Sequence, residues 1–386
     1  MPELEHPPAD EADNITKIAA LTIQQLDRRY PTPPPILRGV HAKDHGCVKA
    51  TFKVAEKLPE NLPVGVLACA GHEYEALIRF SNASVSVDPD STPGPTGLPM
   101  HGSRGMAVKV LGVAGTPLLP TEGPLTQDFV MINQPVFAFA NVEDYLVLSR
   151  IVLDAIGQPP TFFPTAFGGA FVAQSKETDE HGNPTPKAQR AGRTLGIVSR
   201  IRSSSLTASP PAYQAPPASP LDNRYFSAAP YLFGENRAMK FSATPVAPVI
   251  AETLDVTDPR YLRTALHKRL TAPGAGDIVF TFQVQIRTAE ELADKLETDI
   301  EDATVEWDAQ KYPFVDVATI TIPPQDFETD ERRALCESLI FSPWHGLAEH
   351  RPLGGINRLR RPVYEASSQH RLGVKGAGGC PMSGVA

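Results

Sequence analysis

Residues 357–373 read NRLRRPVYEASSQHRLG and set one phenol among guanidiniums at helical spacing. On a helix, Arg360 lies four residues before Tyr364 and Arg371 seven after it, so all three share a face, with Arg361 and His370 near its edge. A guanidinium at that offset favours the phenolate, letting a tyrosine give up its proton below its usual pKa of about 10. A phenolate is a hard anionic ligand, and tyrosine is among the few side chains that hold haem iron. Arginine-rich helix faces are more often simply solvated, so the remainder of the chain decides between the two readings. Pro362 cannot donate to a carbonyl four residues back, which predicts that the helix starts near it or is kinked there.

Moving outward toward the N-terminus, a helix is expected across 330–341 (DERRALCESLIF), and 305–323 (VEWDAQKYPFVDVATITIP) alternates as a strand does. A short helix, AEELADKLE, precedes it. Strand patterns recur in RYFSAAPYLFG, RAMKFSATPVAPV and DIVFTFQVQIRT. Residues 158–223, rich in Pro, Gly, Ser and Thr, are the least regular part and read as a cover or insertion. A helix is predicted over 141–156, with Tyr145 on its apolar side.

Four further strands come earlier, in ILRGVHAKDHGCVKATFKV, EALIRFSNASVSV, SRGMAVKVLGV and QDFVMINQPVFAF. Gly105 sits inside the third, where a glycine marks a close approach or a bulge. The fourth is apolar throughout yet carries Asn133, whose amide must find partners. His41 follows Arg38 by three. A lone histidine here is most simply a hydrogen-bonded one, but above a haem it would shuttle a proton between peroxide oxygens. Residues 1–35 form an N-terminal arm: an amphipathic helix, then the proline run PTPPP, packing on a neighbouring subunit or simply exposed.

About eight strands in two groups with helices after and between them indicate an α+β antiparallel barrel. The chain has 386 residues, 41% of them hydrophobic, enough for a large core. A net charge of −8 argues against a nucleic-acid footprint. No apolar run reaches the roughly 18 residues of a membrane helix, and the acidic start is unlike a signal peptide, so a cytoplasmic location is expected. The four cysteines show no metal-ligand spacing and read as buried or free thiols. Nucleotide-fold and serine-hydrolase motifs are missing from the sequence.

In order along the chain, RGVHAKDHG, IRFSN, RGMAVK, DFVMINQPVF, PYLFGENRAMKFSATP, YPFVDVATITI and ESLIFSPWHGLAEHRPLGGIN resemble segments of haem catalases. Arg360, Tyr364, His370, Arg371, Leu372 and Gly373 keep the family spacing. The resemblance implies an eight-stranded barrel of catalase type over 36–375, with surrounding helices and a wrapping segment, and a tail at 376–386. It also implies haem b (iron protoporphyrin IX), with Tyr364 as iron ligand, Arg360 its partner, and Arg38, Arg79 and Arg371 at the propionates. His41 and Asn133 would be the distal residues, Val40 and Gly105 would border the haem, and Tyr145 would lie over its distal face.

Two departures shape the expected activity. An ungapped match puts Ile132, not Asn133, on the distal asparagine, so Asn133 serves the pocket only if a bulge re-aims it. The chain is also short and is similar to the small catalase-related proteins that act on fatty acid hydroperoxides. Catalase-like allene oxide synthases carry threonine before the distal histidine, where this chain has Val40, as true catalases do. The expected activity is therefore peroxidase or peroxygenase chemistry on organic or fatty acid hydroperoxides. Hydrogen peroxide dismutation and a non-catalytic haem-binding role are the alternatives. Homo-oligomers are implied by resemblance alone.

Overall fold

Phe52, Phe129, Phe241 and Phe282 come from four distant parts of the chain and meet at the centre of the molecule. Their ring centroids lie 4.6–5.8 Å apart. In each parent strand the alternate residues also point inward, as period-two patterning requires. Examples are Val48, Ala50 and Val54 beside Phe52, and Phe280 and Val284 beside Phe282. The structure, a computed structural model, describes residues 4–30, 36–83, 89–93, 99–120, 123–203, 205–247 and 257–373. The proline run PTPPP and the expected tail at 376–386 lie outside them.

The strands are β1 (Asp44–Val54), β2 (Glu73–Asn82), β3 (Thr92–Pro93), β4 (Pro99–Met100), β5 (Arg104–Leu111), β6 (Thr126–Ile132), β7 (Tyr225–Phe226), β8 (Tyr231–Leu232), β9 (Arg237–Pro245), β10 (Ile278–Thr288) and β11 (Val315–Ile322). Antiparallel pairing runs β10-β11-β1-β2-β5-β6-β7-β9, and β9 pairs again with β10. Eight strands thus close into a barrel, and β8 extends it from β9 as a ninth. β3 and β4 form a separate hairpin. Closure leaves no open edge in the ring.

The helices are α1 (Glu11–Arg29), α2 (Val142–Asp154), α3 (Phe162–Gln174), α4 (Pro186–Arg202), α5 (Tyr261–Thr271), α6 (Ala289–Leu292), α7 (Asp330–Ser338) and α8 (Gly355–Leu372). Asn141 caps α2, its Oδ1 accepting from Asp144 N at 3.1 Å. Among the described residues no helix is long and apolar enough to cross a membrane.

Three expectations change. The stretch 158–223 is not irregular throughout, since it contains α3 and α4. Phe163, Phe167 and Phe171 recur every four residues on α3 and pack against Phe139, while Thr185 caps α4 ahead of Pro186. Composition hid this, because proline at a helix start reads as a breaker. Second, of the two readings of Pro362 a helix start is ruled out, because α8 starts at Gly355 and carries the proline within it. Its start is fixed by tertiary contacts: Arg358 forks to Glu11 (2.6 Å), Glu5 (2.5 Å) and Glu301 (2.7 Å). Gly354 (φ 83) precedes it where a side chain would strike the Ile300 carbonyl. Third, the N-terminal helix lies on its own chain. Ile18 packs with Val142, Leu146 and Leu359, and Gln25 Nε2 donates to Ser149 O at 3.0 Å.

Candidate functional site

The outer face of the barrel carries one cross-strand row that the site is built on. Ser81 pairs with Gly105, Gly105 with Ile132 and Ile132 with Phe226, so these four share one side of the sheet. The segment leading into β1 lies across this row. His41 holds a left-handed backbone (φ 56), uncommon for a non-glycine residue. Arg79 secures it, Nη1 donating to His41 O at 2.9 Å. The imidazole sits in the space that a side chain at position 105 would take: a Cβ there would come within 2.5 Å of Nδ1 and 2.6 Å of Cε1. Its Nδ1 is 2.9 Å from Ser81 Oγ. Burial, reinforced by the Arg79, Arg360 and Arg38 charges, pulls the His41 pKa down to about 3. The ring is therefore neutral at ordinary pH, as a proton acceptor must be.

His41 lines a cleft between this wall and α8, about 780 Å³ in volume including its mouth. Val40, Ala107 and Val130 give it an apolar surface beside His41. Tyr364 and Val363 of α8 line it as well, with Thr22 of α1 and residues Leu339, Ile340 and Phe341.

Three guanidiniums gather on the same cleft: Arg38, Arg79 and Arg371. Arg38 donates to Cys336 O and Leu339 O, both at 2.8 Å, and pairs with Glu337 at 3.0 Å. Arg371 donates to Glu337 O and, at 3.3 Å, to Leu339 O. Burial, then the neighbouring Arg79, pulls the Arg38 pKa down to about 9. Arginine does not shed its proton in practice, so that shift expresses the cost of burying a guanidinium, with a smaller part from the like charges beside it, both of which an anionic guest relieves. Arg79 Nε is buried without a partner.

On α8, Arg360 Nη1 donates to Asn357 Oδ1 at 2.9 Å, and its guanidinium lies 5.4 Å from the Phe137 ring centroid. Tyr145 and the fully buried Tyr231 both feel the charge of Arg360. Burial pushes the Tyr145 phenol up to about 12.

Arg38, Val40, His41, Arg79, Tyr364 and Arg371 thus come together on one cleft, with Gly105 behind the imidazole and Arg360 on the same helix as Tyr364. Two sequence candidates do not line the cleft, although Tyr145 is close enough to Tyr364 and Arg360 to feel both. Tyr145 packs against Phe137 and Phe139, at centroid distances of 6.0 and 5.8 Å. Asn133 is wholly engaged elsewhere. Its Oδ1 accepts from Arg104 N (2.7 Å) and Gln134 Nε2 (2.6 Å), and its Nδ2 donates to Asn223 Oδ1 (3.0 Å). No register shift interrupts the β5–β6 pairing, so no bulge turns it toward the cleft, and Ile132 occupies the row beside Gly105. Ser81, the serine of IRFSN, is a site residue that the resemblance does not single out. Its position two residues after Arg79 is the signal for it, since period two puts both on one strand face.

The residues present fit an acidic, flat, largely apolar guest such as haem. The phenol of Tyr364 and the neutral imidazole line one apolar cleft with a cluster of guanidiniums, one of which has an unsatisfied N–H. Among the described residues no group of three or more His, Cys, Asp or Glu could hold a bare metal ion.

No protein-family model and no curated protein sequence matches the chain. Solved structures do. A fungal catalase is 17% identical, with a TM-score of 0.57 over 90% of this chain and 62% of its own. Catalase A from Saccharomyces cerevisiae is 16% identical, with a TM-score of 0.57 over 89% of this chain and 63% of its own. A bacterial catalase gives 16% and 0.57 over 89% and 59%. The chain therefore spans about three-fifths of the length of these enzymes. With its closed eight-stranded antiparallel barrel, ninth strand and surrounding helices, the protein has the catalase fold.

Proposed function

We propose that the protein is a haem-dependent enzyme that handles hydroperoxides, acting as a peroxidase or peroxygenase on organic or fatty acid hydroperoxides. The observation that carries this is the shared cleft, where a neutral histidine braced by Ser81 and a helical tyrosine stand beside Arg38, Arg79 and Arg371.

Haem b, when bound, supplies the redox chemistry of O–O cleavage. Tyr364 would hold the iron, and Arg38, Arg79 and Arg371 would pair with the propionates by charge-assisted hydrogen bonds. His41 takes the proton from one peroxide oxygen and returns it to the departing oxygen. Val40, Ala107 and Val130 keep water from the reacting oxygens. Ile132 favours this reading over dismutation, because the position across from Gly105, against which the His41 ring sits, carries no hydrogen-bonding side chain to orient a second peroxide. Hydrogen peroxide dismutation is the second reading, supported by the fold of the neighbours.

The test is the absorption spectrum of haem-supplemented wild type and Tyr364→Phe, followed by titration with hydrogen peroxide and a fatty acid hydroperoxide while dissolved oxygen is recorded. Wild type should show a haem band that the substitution removes or shifts, and should consume the lipid hydroperoxide with little oxygen release. Vigorous oxygen release with the lipid hydroperoxide untouched selects dismutation. Absence of a haem band in wild type rejects the proposal, full turnover in His41→Ala removes His41 as the proton carrier, and a haem band with no peroxide consumption in wild type reduces the protein to haem binding.

A further inference from the structure

Cys47 on β1 and Cys336 on α7 lie far apart in sequence yet are buried side by side, packed with Leu77 and Leu339. The two thiols belong to one buried cluster, and each shifts the other's proton affinity. The pair sits directly behind the cleft wall. The Cys336 carbonyl accepts from Arg38, Leu339 lines the cleft, and Cys47 is the cross-strand partner of Arg79. Two thiols in contact beside a cleft proposed to receive peroxide are placed to react with it and with each other.

We propose that Cys47 and Cys336 are a redox pair, which a hydroperoxide oxidises to a disulfide joining β1 to α7. Cys336 is the attacking sulfur. Arg38 reaches the Cys336 backbone at 2.8 Å, and the neighbouring Cys47, then the Arg79 and Arg38 charges, favour the Cys336 thiolate against the opposing effects of burial and Asp44. The thiolate attacks the terminal oxygen of ROOH and the O–O bond breaks. Cys336 becomes a sulfenic acid and RO⁻ leaves, taking up a proton as ROH. Cys47 then attacks the Cys336 sulfur, the S–O bond breaks and water departs. Two thiols lose two electrons in all, and one peroxide gains them. The disulfide staples the last turn of α7, whose carbonyls hold Arg38 and Arg371, to the barrel. The inference borrows from the proposed function only the arrival of hydroperoxide, and it needs no iron.

The experiment therefore uses the reduced full chain in three forms: haem-supplemented wild type, haem-free wild type and Tyr364→Phe. Each is treated with a slight excess of hydrogen peroxide or an alkyl hydroperoxide, quenched in acid, alkylated and peptide-mapped. The exposed Cys69 serves as the internal control. All three forms should yield a cross-linked peptide pair containing Cys47 and Cys336, reversed by dithiothreitol, with both thiols lost to alkylation. In Cys47→Ser, Cys336 should stop at a sulfenic acid that dimedone traps. Full alkylation of Cys47 and Cys336 after peroxide has oxidised Cys69 would overturn the proposal, as would a cross-link to Cys69 instead. Because haem-free protein is assayed in parallel, failure of the thiol chemistry and failure of the haem reading are separately visible.

Discussion

Gly105→Ala adds one methyl group at the point where the sheet meets the His41 imidazole. That methyl would sit 2.5 Å from Nδ1 and 2.9 Å from Ser81 Oγ, so the ring must withdraw by about 0.9 Å to regain ordinary contact at 3.4 Å. The backbone of His41 gives little room to do so, since its carbonyl is held by Arg79 and its φ is already left-handed. Retreat also breaks the 2.9 Å contact with Ser81. A displacement of about 1 Å at a proton-transfer group costs on the order of 10²-fold in rate, about 2.7 kcal/mol of barrier. Crowding should lower stability by a further 1–3 kcal/mol, roughly, which urea unfolding would read. The assay is kcat/KM for hydroperoxide with haem loading matched by absorbance. Ser81→Ala, which removes one partner without pushing the ring, should lose about tenfold, in line with a single hydrogen bond. A Gly105→Ala protein with a normal haem band and wild-type turnover would refute the idea that His41 works through its seat on β5.

Three other outcomes are expected. Burial holds His41 at about pH 3 and His45 and His350 at about pH 4, each below the unfolded value near 6.5. The unfolded chain therefore binds more protons below pH 6.5, and stability from the neutral rings is complete above that pH and lost as pH falls toward 4. At pH 5 the loss is about 2 kcal/mol per histidine, seen as a falling urea midpoint between pH 7 and 5, and a flat midpoint would contradict it. Asn133→Ala should lower stability by about 2–4 kcal/mol, by stranding Arg104 N, Gln134 and Asn223, yet leave peroxide turnover of the folded protein within a factor of about two. Ile132→Asn should instead raise oxygen release relative to lipid hydroperoxide consumption, and no change in that ratio would remove Ile132 as a determinant.

The sequence by itself determined the barrel, because alternation is a local property. Val48, Ala50, Phe52 and Val54 must share a strand face wherever that strand ends up, and the same holds for Phe280, Phe282 and Val284. The helical spacing of Arg360, Tyr364 and Arg371 is local in the same sense, as is the capping of α2 by Asn141. Tertiary structure alone decided what depends on pairing between distant segments. The unbroken β5–β6 register turned Asn133 away and put Ile132 in the row with Gly105, a choice of face that one bulge would have reversed. The approach of the loop before β1 made Gly105 a seat for His41, and the docking of α7 on β1 brought Cys47 to Cys336. The ion pairs of Arg358 with Glu5, Glu11 and Glu301 carried α8 back past Pro362 to Gly355. A local pattern fixes which face a side chain shares, and only packing fixes what that face meets.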